Sequence, residues 1–462
     1  MTCLLAAACS QPTSNDGNAE RVPCPGCNVV LISMDTVRSD HVGAYGYELP
    51  TTPNLDRLAT RSAVFEHAVS QAAWTLPAHG SIMTGLYPGR LGVVRYPAVR
   101  RLPDSTQTLA GVFSSAGYRT AGFTGGGFVS AHFGFDRGFQ VYTTDGRRFE
   151  HNLDNAISWL ELNRHRPFFL FFHGYNAHRP YYSEAMDKLA VGLPEKIKRD
   201  RGGYCGRNTR DRPEDLETII AFYDASVHAA DRRVGELLRA LETLGLMDKT
   251  VLLVTSDHGE EFFEHGNCDH VRFLYGEVIN VPYVVYVPGF NPSGKRIRDT
   301  VPASISVART LLDLVGVANT MPGVSLLPMI DGSATGFDGP VYSEADSVAG
   351  RMGSRGPVVS IIKEREKLIA FTGEGSEEAY DLEVDPGEQH ILPESHAAYR
   401  RRWTLRAWAK ALTPLPKPRR SVVKAVSRKA REFSDRQPSG KEEELPIPEE
   451  LENSLKSLGY LE

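Results

Sequence analysis

The sequence predicts an α/β protein, with a mostly parallel sheet flanked by helices and a small C-terminal α+β subdomain. Three observations carry this reading. Short apolar runs of strand length alternate with longer segments of helical period between residues 28 and 315. Several of these runs finish in an acid or a histidine, and a parallel sheet places its chemistry outside the carboxyl ends of its strands. After about residue 335 the alternation gives way to a hairpin pattern and turn-rich acidic sequence. At 462 residues the chain has room for two or three domains, or for one large core with an appendage. Its 41% hydrophobic and 24% charged residues exclude collagen-like and wholly disordered classes. The 52 Lys plus Arg against 57 Asp plus Glu leave a net charge of −5, so no global basic excess points to nucleic acid. No apolar run reaches the roughly 20 residues that span a bilayer.

Residues 1–27 come first. Small residues precede Cys9 and a polar stretch follows it, which resembles a truncated bacterial lipoprotein signal and linker. A lipid anchor at Cys9 and a place in the cell envelope or periplasm are the expectation, with the cytoplasm the alternative if this is not a signal. Cys24 and Cys27 form a CxxC with no second pair, which argues for a linker disulfide or free thiols rather than zinc. Asn28 to Asp35 (NVVLISMD) reads as a buried parallel strand that delivers a carboxylate. Pro53 to Ser62 reads as a helix with Pro in its first turn. Ser105 to Gly117 is a helix and Tyr118 to Thr124 a strand, followed by the amphipathic helix Phe149 to Asn163. Pro167 to His173 (PFFLFFH) is a second buried strand, Pro213 to Leu246 a long helix, and Thr250 to Asp257 (TVLLVTSD) a third strand, running into Asp-His-Gly. Val281 to Val287 is a strand and Ser304 to Val315 a helix, so the principal domain covers residues 28–335. Residues 336–412 form the subdomain, with a hairpin over Val358 to Thr372 and a helix over Ala397 to Ala411. Residues 413–462 are a charged, flexible tail.

The chemistry gathers where these strands end. Asp35, Asp257 and His258 are hard-to-borderline metal ligands, and one cation could gather them together with Thr75. In WTLPAHGS, Thr75 is a candidate N-cap with Pro77 behind it, at a helix start whose free amides favour an anion. A metal would make its hydroxyl a nucleophile. His79 follows one turn later, either orienting Thr75 or contacting the anion, or else packing on the helix. His270 is either a substrate contact or a loop histidine. His173 reads as a hydrogen-bonded core histidine. Arg38 either supports its neighbours or touches substrate, and His265 has the same ambiguity toward a metal.

The ordered runs MDTVRSDHVGAYGY, TTPNLDRLA, WTLPAHGSIMTGLYP, NAHRPY and TSDHGEEFFEHG resemble the sulfatase family of the alkaline phosphatase superfamily. EKLIAF and AYDLEVDPGEQHIL resemble its C-terminal subdomain. The resemblance implies an alkaline phosphatase-like core over residues 28–335 and an ester hydrolase. It also implies that His178, in NAHRPY, protonates the leaving oxygen. Sulfatases oxidise a Cys or Ser to formylglycine at the head of a C/S-x-P-x-R motif. Here Thr75 heads the motif and His79 replaces the Arg, so no formylglycine is expected, since oxidised Thr would be a ketone. Thr36 stands in place of the second Asp of a DD pair. Superfamily members with a Thr nucleophile implicate one divalent ion (calcium, manganese or zinc) on Asp35, Thr75, Asp257 and His258. The expectation is a metal-dependent hydrolase of small-molecule, glycan or lipid sulfate or phosphate esters, with Thr75, His178 and His79 catalytic and His270 and Arg38 contacting substrate. The alternatives are a phosphodiesterase, phosphonate monoester hydrolase or phospho-group transferase of the same superfamily, and a catalytically dead binding protein.

Overall fold

The computed structural model describes residues 22–96, 100–181, 213–290, 293–347, 357–372, 375–401 and 453. The expectations for Cys9, the 413–462 tail and most of the Ala397 to Ala411 helix lie outside the described residues. Fourteen strands are described: β1 (Asn28–Met34), β2 (Ala63–Val69), β3 (Arg95–Tyr96), β4 (Arg119–Phe123), β5 (Val141–Thr143), β6 (Phe168–Gly174), β7 (Thr250–Thr255), β8 (Asn280–Val281), β9 (Tyr283–Tyr286), β10 (Lys295–Pro302), β11 (Val341–Ser347), β12 (Val358–Lys363), β13 (Glu366–Phe371) and β14 (Ser376–Asp381).

Nine of them make the main sheet, in the order β10-β2-β9-β7-β1-β6-β4-β5, with the short β8 beside β2. Pairing is parallel across β7-β1-β6-β4-β5 and between β10 and β2, while β9 and the short β8 run antiparallel to their neighbours. β1, β6 and β7 are buried along their whole length, which is why they read as unbroken apolar runs. Successive residues of β1 feed opposite faces, as a pleated strand requires. Val29 and Leu31 join a core with the Thr75–Thr84, Leu109–Ser115 and Val307–Leu314 helices. Val30, Ile32 and Met34 join another with the Pro53–Ala59, Phe149–Asn163 and Pro213–Thr243 helices.

Register places the chemistry. Ser33 of β1 stands opposite His173 of β6 on one side and Thr255 of β7 on the other. The ladder runs one step further, with Asp35 N–H donating to the Gly174 carbonyl at 3.3 Å. Asp35, His173 and Asp257 therefore leave the sheet at one edge.

The second sheet, β14-β13-β12-β11-β3, is antiparallel except where β3 pairs parallel with β11. The hairpin read over Val358 to Thr372 is β12 and β13. Strands β2, β10 and β11 were not anticipated. The Phe149–Asn163 helix has the expected limits. The helix expected from Ser105 begins at Leu109, because the Thr108 side chain accepts the Gly111 N–H and caps it. Cys24 and Cys27 are joined in a disulfide, and Cys24 N–H bonds to the Leu314 carbonyl.

Candidate active site

Thr36 turns the chain sharply after β1, with φ at 63°. That turn lets one residue hold two acids. Its hydroxyl donates to Asp35 Oδ1 at 2.6 Å and its backbone N–H to Asp257 Oδ1 at 3.1 Å. The turn is itself clamped by Tyr223, whose hydroxyl donates to the Thr36 carbonyl and accepts the Arg38 N–H, both at 2.9 Å. Asp257 Oδ1 also accepts the His258 N–H at 3.0 Å. Its other oxygen, Oδ2, is buried and makes no hydrogen bond.

His258 explains what that oxygen awaits. Its Nδ1–H donates to the Gly259 carbonyl at 2.9 Å, since a carbonyl can only accept, and Nε2 therefore carries a lone pair. Burial brings the ring down to about 4, so it is neutral at pH 7. Nε2 lies 3.3 Å from Asp257 Oδ2 and 3.4 Å from Thr75 Oγ1. Two lone pairs face one another with no proton between them. Burial also pushes the Asp35 carboxyl well up, and the Asp257 charge adds to the push. Ligand atoms of Asp35, Asp257 and His258 lie within 4.8 Å of one another, so the donor set fits a cation.

Thr75 is the first residue inside its helix; Trp74 is the N-cap, so the N-cap expectation is corrected by one residue. A cap hydroxyl would be folded back onto a backbone amide, whereas the Thr75 hydroxyl faces His258. The positive end of the helix dipole lies at this residue. His79, one turn on, donates from Nδ1 to the Thr75 carbonyl at 3.1 Å, and its Nε2 is hydrogen-bonded to the Ser33 hydroxyl at 3.0 Å. Its ring is fully buried, and Nδ1 lies 3.3 Å from Asp257 Oδ2. It touches Thr75 and Asp257 from beneath.

Two other clusters have metal-like composition, but local hydrogen bonds account for both. In Asp35–His79–His173, the Gly125 N–H donates to His173 Nδ1 at 3.2 Å, which puts the proton on Nε2, 3.3 Å from Asp35 Oδ2. In Glu260–Asp269–His270, the Arg179 guanidinium bonds Asp269 and lies 3.7 Å from Glu260.

His178 lies just past β6. Its Nδ1–H donates to the Arg179 carbonyl at 2.6 Å, and its ring sits edge-on to His270, centroids 5.0 Å apart. Burial and the neighbouring His270 hold it well below the usual histidine range. His270 lies against His258, centroids 4.4 Å apart, with Nδ1 3.0 Å from Glu260 Oε1. Burial disfavours its charge, but the Glu260 and Asp269 carboxylates together raise it. Among the rings beside the metal ligands, His270 is therefore the one whose positive charge its surroundings favour. Arg38 is placed otherwise than as a substrate contact. It is 5% exposed, and its guanidinium is taken up by Asp40, Glu264 and the Glu260 carbonyl. His265 sits between Glu277 and the Glu388 carbonyl, and the Glu277 carboxylate helps lift it to about 9 against the opposing effect of burial. Glu260, Arg179 and Asp269 were missed by the sequence reading; the one signal was the pair of acids directly after Asp-His-Gly. Residues 182–212, which follow the His178 segment, lie outside the described residues.

Comparison with known proteins places the family. The sulfatase family model matches residues 27–317, and the model for the C-terminal part of N-sulphoglucosamine sulphohydrolase matches residues 263–406. An arylsulfatase of Clostridium perfringens is 26% identical over 439 residues, covering 78% of this chain and 89% of that protein. An endo-4-O-sulfatase of Bacteroides thetaiotaomicron is 25% identical over 404 residues, covering 70% and 75%. The crystal structure of a phosphonate monoester hydrolase of Agrobacterium radiobacter shares the fold, with a TM-score of 0.64 at 20% identity over 84% of this chain and 94% of that one. The chain belongs to the sulfatase family, within the alkaline phosphatase-like superfamily.

Proposed function

We propose that this protein is a metal-dependent hydrolase of sulfate esters, a glycan sulfate being the preferred class, with Thr75 as its nucleophile. One observation carries the reading: Asp257 Oδ2, buried without a hydrogen bond, and the unprotonated His258 Nε2 converge beside the Thr75 hydroxyl. A divalent cation bound by Asp35, Asp257, His258 and Thr75 would lower the pKa of the hydroxyl and draw charge from the ester oxygens. Thr75 Oγ then attacks sulfur. The Oγ–S bond forms, the bond from sulfur to the ester oxygen breaks, and the Thr proton leaves to solvent. The departing oxygen takes a proton from solvent, relayed through His178 Nε2, since the ring keeps its own proton on Nδ1. Water cleaves the Thr ester, releasing sulfate and restoring the hydroxyl. His270, held by Glu260, is placed to donate a hydrogen bond toward the equatorial oxygens. The glycan preference is supported by the relatives, which include an N-acetylglucosamine-6-O-sulfatase of Bacteroides thetaiotaomicron.

A second reading is favoured by Thr75 itself. A plain hydroxyl nucleophile, with His79 where sulfatases carry Arg, suits phosphate diesters and phosphonate monoesters as well. These share the single negative charge of a sulfate monoester, so one site electrostatics serves all three.

The test is a paired panel on the full chain: an aryl sulfate, an aryl phosphate diester and an aryl phosphonate monoester, each with zinc, manganese or calcium, beside Thr75→Ala. The proposal expects sulfate release that falls by at least about 10³-fold in Thr75→Ala. Diester or phosphonate turnover well above sulfate turnover would establish the second reading. Turnover indifferent to Thr75 would remove the nucleophile assignment.

A further inference from the structure

We infer that His173 is a positioning residue for Asp35, holding that carboxylate by a neutral N–H donor whose tautomer is set by a backbone amide. The inference rests on the functional reading above, because Asp35 matters as a ligand only there.

The argument begins at Gly125. Its N–H is an obligatory donor and points at His173 Nδ1 at 3.2 Å. Nδ1 must accept, so the proton of the neutral ring is on Nε2, which faces Asp35 Oδ2 at 3.3 Å. Only glycine allows the approach. A Cβ at position 125 would meet the Arg147 carbonyl oxygen and the Tyr175 ring, each at 2.6 Å. The ring has no freedom to turn away. It is fully buried, lies parallel to Phe171 with centroids 6.0 Å apart, and is met edge-on by His79 at 4.8 Å and Tyr175 at 4.7 Å.

Asp35 is thereby gripped at both oxygens, by the Thr36 hydroxyl at Oδ1 and His173 at Oδ2. Each donor uses one lone pair and leaves another for a cation. Both donors are uncharged, so neither offsets the charge the carboxylate would present to a metal. The neighbouring acid is held differently, by backbone amides on Asp257 Oδ1 alone, with Oδ2 left without a hydrogen bond. His173 therefore does for the β1 acid what hydrogen-bonded partners of metal ligands do generally: it fixes orientation and basicity.

The test measures ion binding directly. Mn²⁺, Zn²⁺ and Ca²⁺ are titrated separately into the metal-stripped full chain by calorimetry, for the wild type, His173→Leu and His173→Gln. Circular dichroism confirms the fold of each. Gln can carry an N–H close to the position of Nε2, whereas Leu keeps bulk without a donor. His173→Leu is expected to bind the preferred ion on the order of 10–100-fold more weakly, and His173→Gln to recover most of that loss. Equal affinity in wild type and folded His173→Leu would overturn the inference and leave the functional reading standing. Equal losses in Leu and Gln would also overturn it, since packing rather than the N–H would then be responsible. If His173→Leu fails to fold, ¹⁵N NMR of the wild-type ring decides: an Nε2–H tautomer upholds the inference and an Nδ1–H tautomer ends it. A wild-type chain that binds none of the ions would defeat the functional reading first, and this one with it.

Discussion

His178 shows how one side chain divides binding from chemistry. Its Nδ1–H is committed to the Arg179 carbonyl, so only Nε2 can meet a leaving oxygen. A proton there matters in proportion to the basicity of the leaving group. His178→Asn should cost about 10²–10⁴-fold in kcat/KM on an alkyl or sugar sulfate and far less on a nitrophenyl sulfate, whose phenolate departs without help. Parallel steady-state assays of the two esters check this, and equal losses on both would assign His178 to substrate binding. Residues like this one were legible in the sequence because their chemistry sits at strand ends or in short motifs. Asp35, Asp257 and His258 were found from runs of apolar sequence that stop at an acid. Glu260, Arg179 and Asp269 were not, because each alone is an ordinary loop charge. Their meaning comes from a buried network between residues up to 90 apart, which pairs Arg179 with Asp269. Thr75 was placed at the right helix end, yet its neighbour Trp74 took the cap, and no local pattern distinguishes the two positions.

Among the elements, the turn after β14 ties the second sheet to the active-site loop. Glu388 adopts φ 57° and is 2% exposed. Its carboxylate pairs with the buried Lys367 of β13 at 2.7 and 2.8 Å and accepts the Gly276 N–H at 2.9 Å. Its carbonyl lies 2.9 Å from His265 Nε2, in the loop that runs from His258 to His270. The DPGE sequence is thus a latch between the sheets. Glu388→Gln leaves the Lys367 charge buried and unpaired, and should lower stability by about 3–5 kcal/mol in urea unfolding. Adding Lys367→Met should return much of the loss, because the uncompensated charge is then gone. Equal instability in the single and double variants would show that the ion pair is not the source. The sequence announced the hairpin of β12 and β13 by its apolar alternation. It concealed β10, whose sequence KRIRDTVP is charged because the strand lies at the sheet edge, and β2, whose Glu66 and His67 interrupt its apolar pattern.

At the scale of the molecule, the boundary drawn at residue 335 divides neither the two sheets nor their cores cleanly. Val69, Ala73, Leu274, Val278 and Ile279 of the larger part pack with Val341, Val358, Ile369 and Phe371 of the smaller one. β3, from the first hundred residues, completes the second sheet beside β11. Each part alone would leave this apolar face in water, where it would drive aggregation. The chain should therefore unfold as one cooperative unit, with far-UV circular dichroism and tryptophan fluorescence tracing the same transition and calorimetric and van't Hoff enthalpies agreeing. A chain ending at residue 335 should be insoluble, because those five side chains, each at most 1% exposed in the whole protein, would be uncovered together. Two resolved transitions, or a soluble truncated chain that still binds a divalent ion, would mean that the larger sheet holds the metal ligands in register without the smaller one. A single transition would mean that the positions of Asp35, Asp257 and His258 depend on strands more than 300 residues along the chain from the first of them.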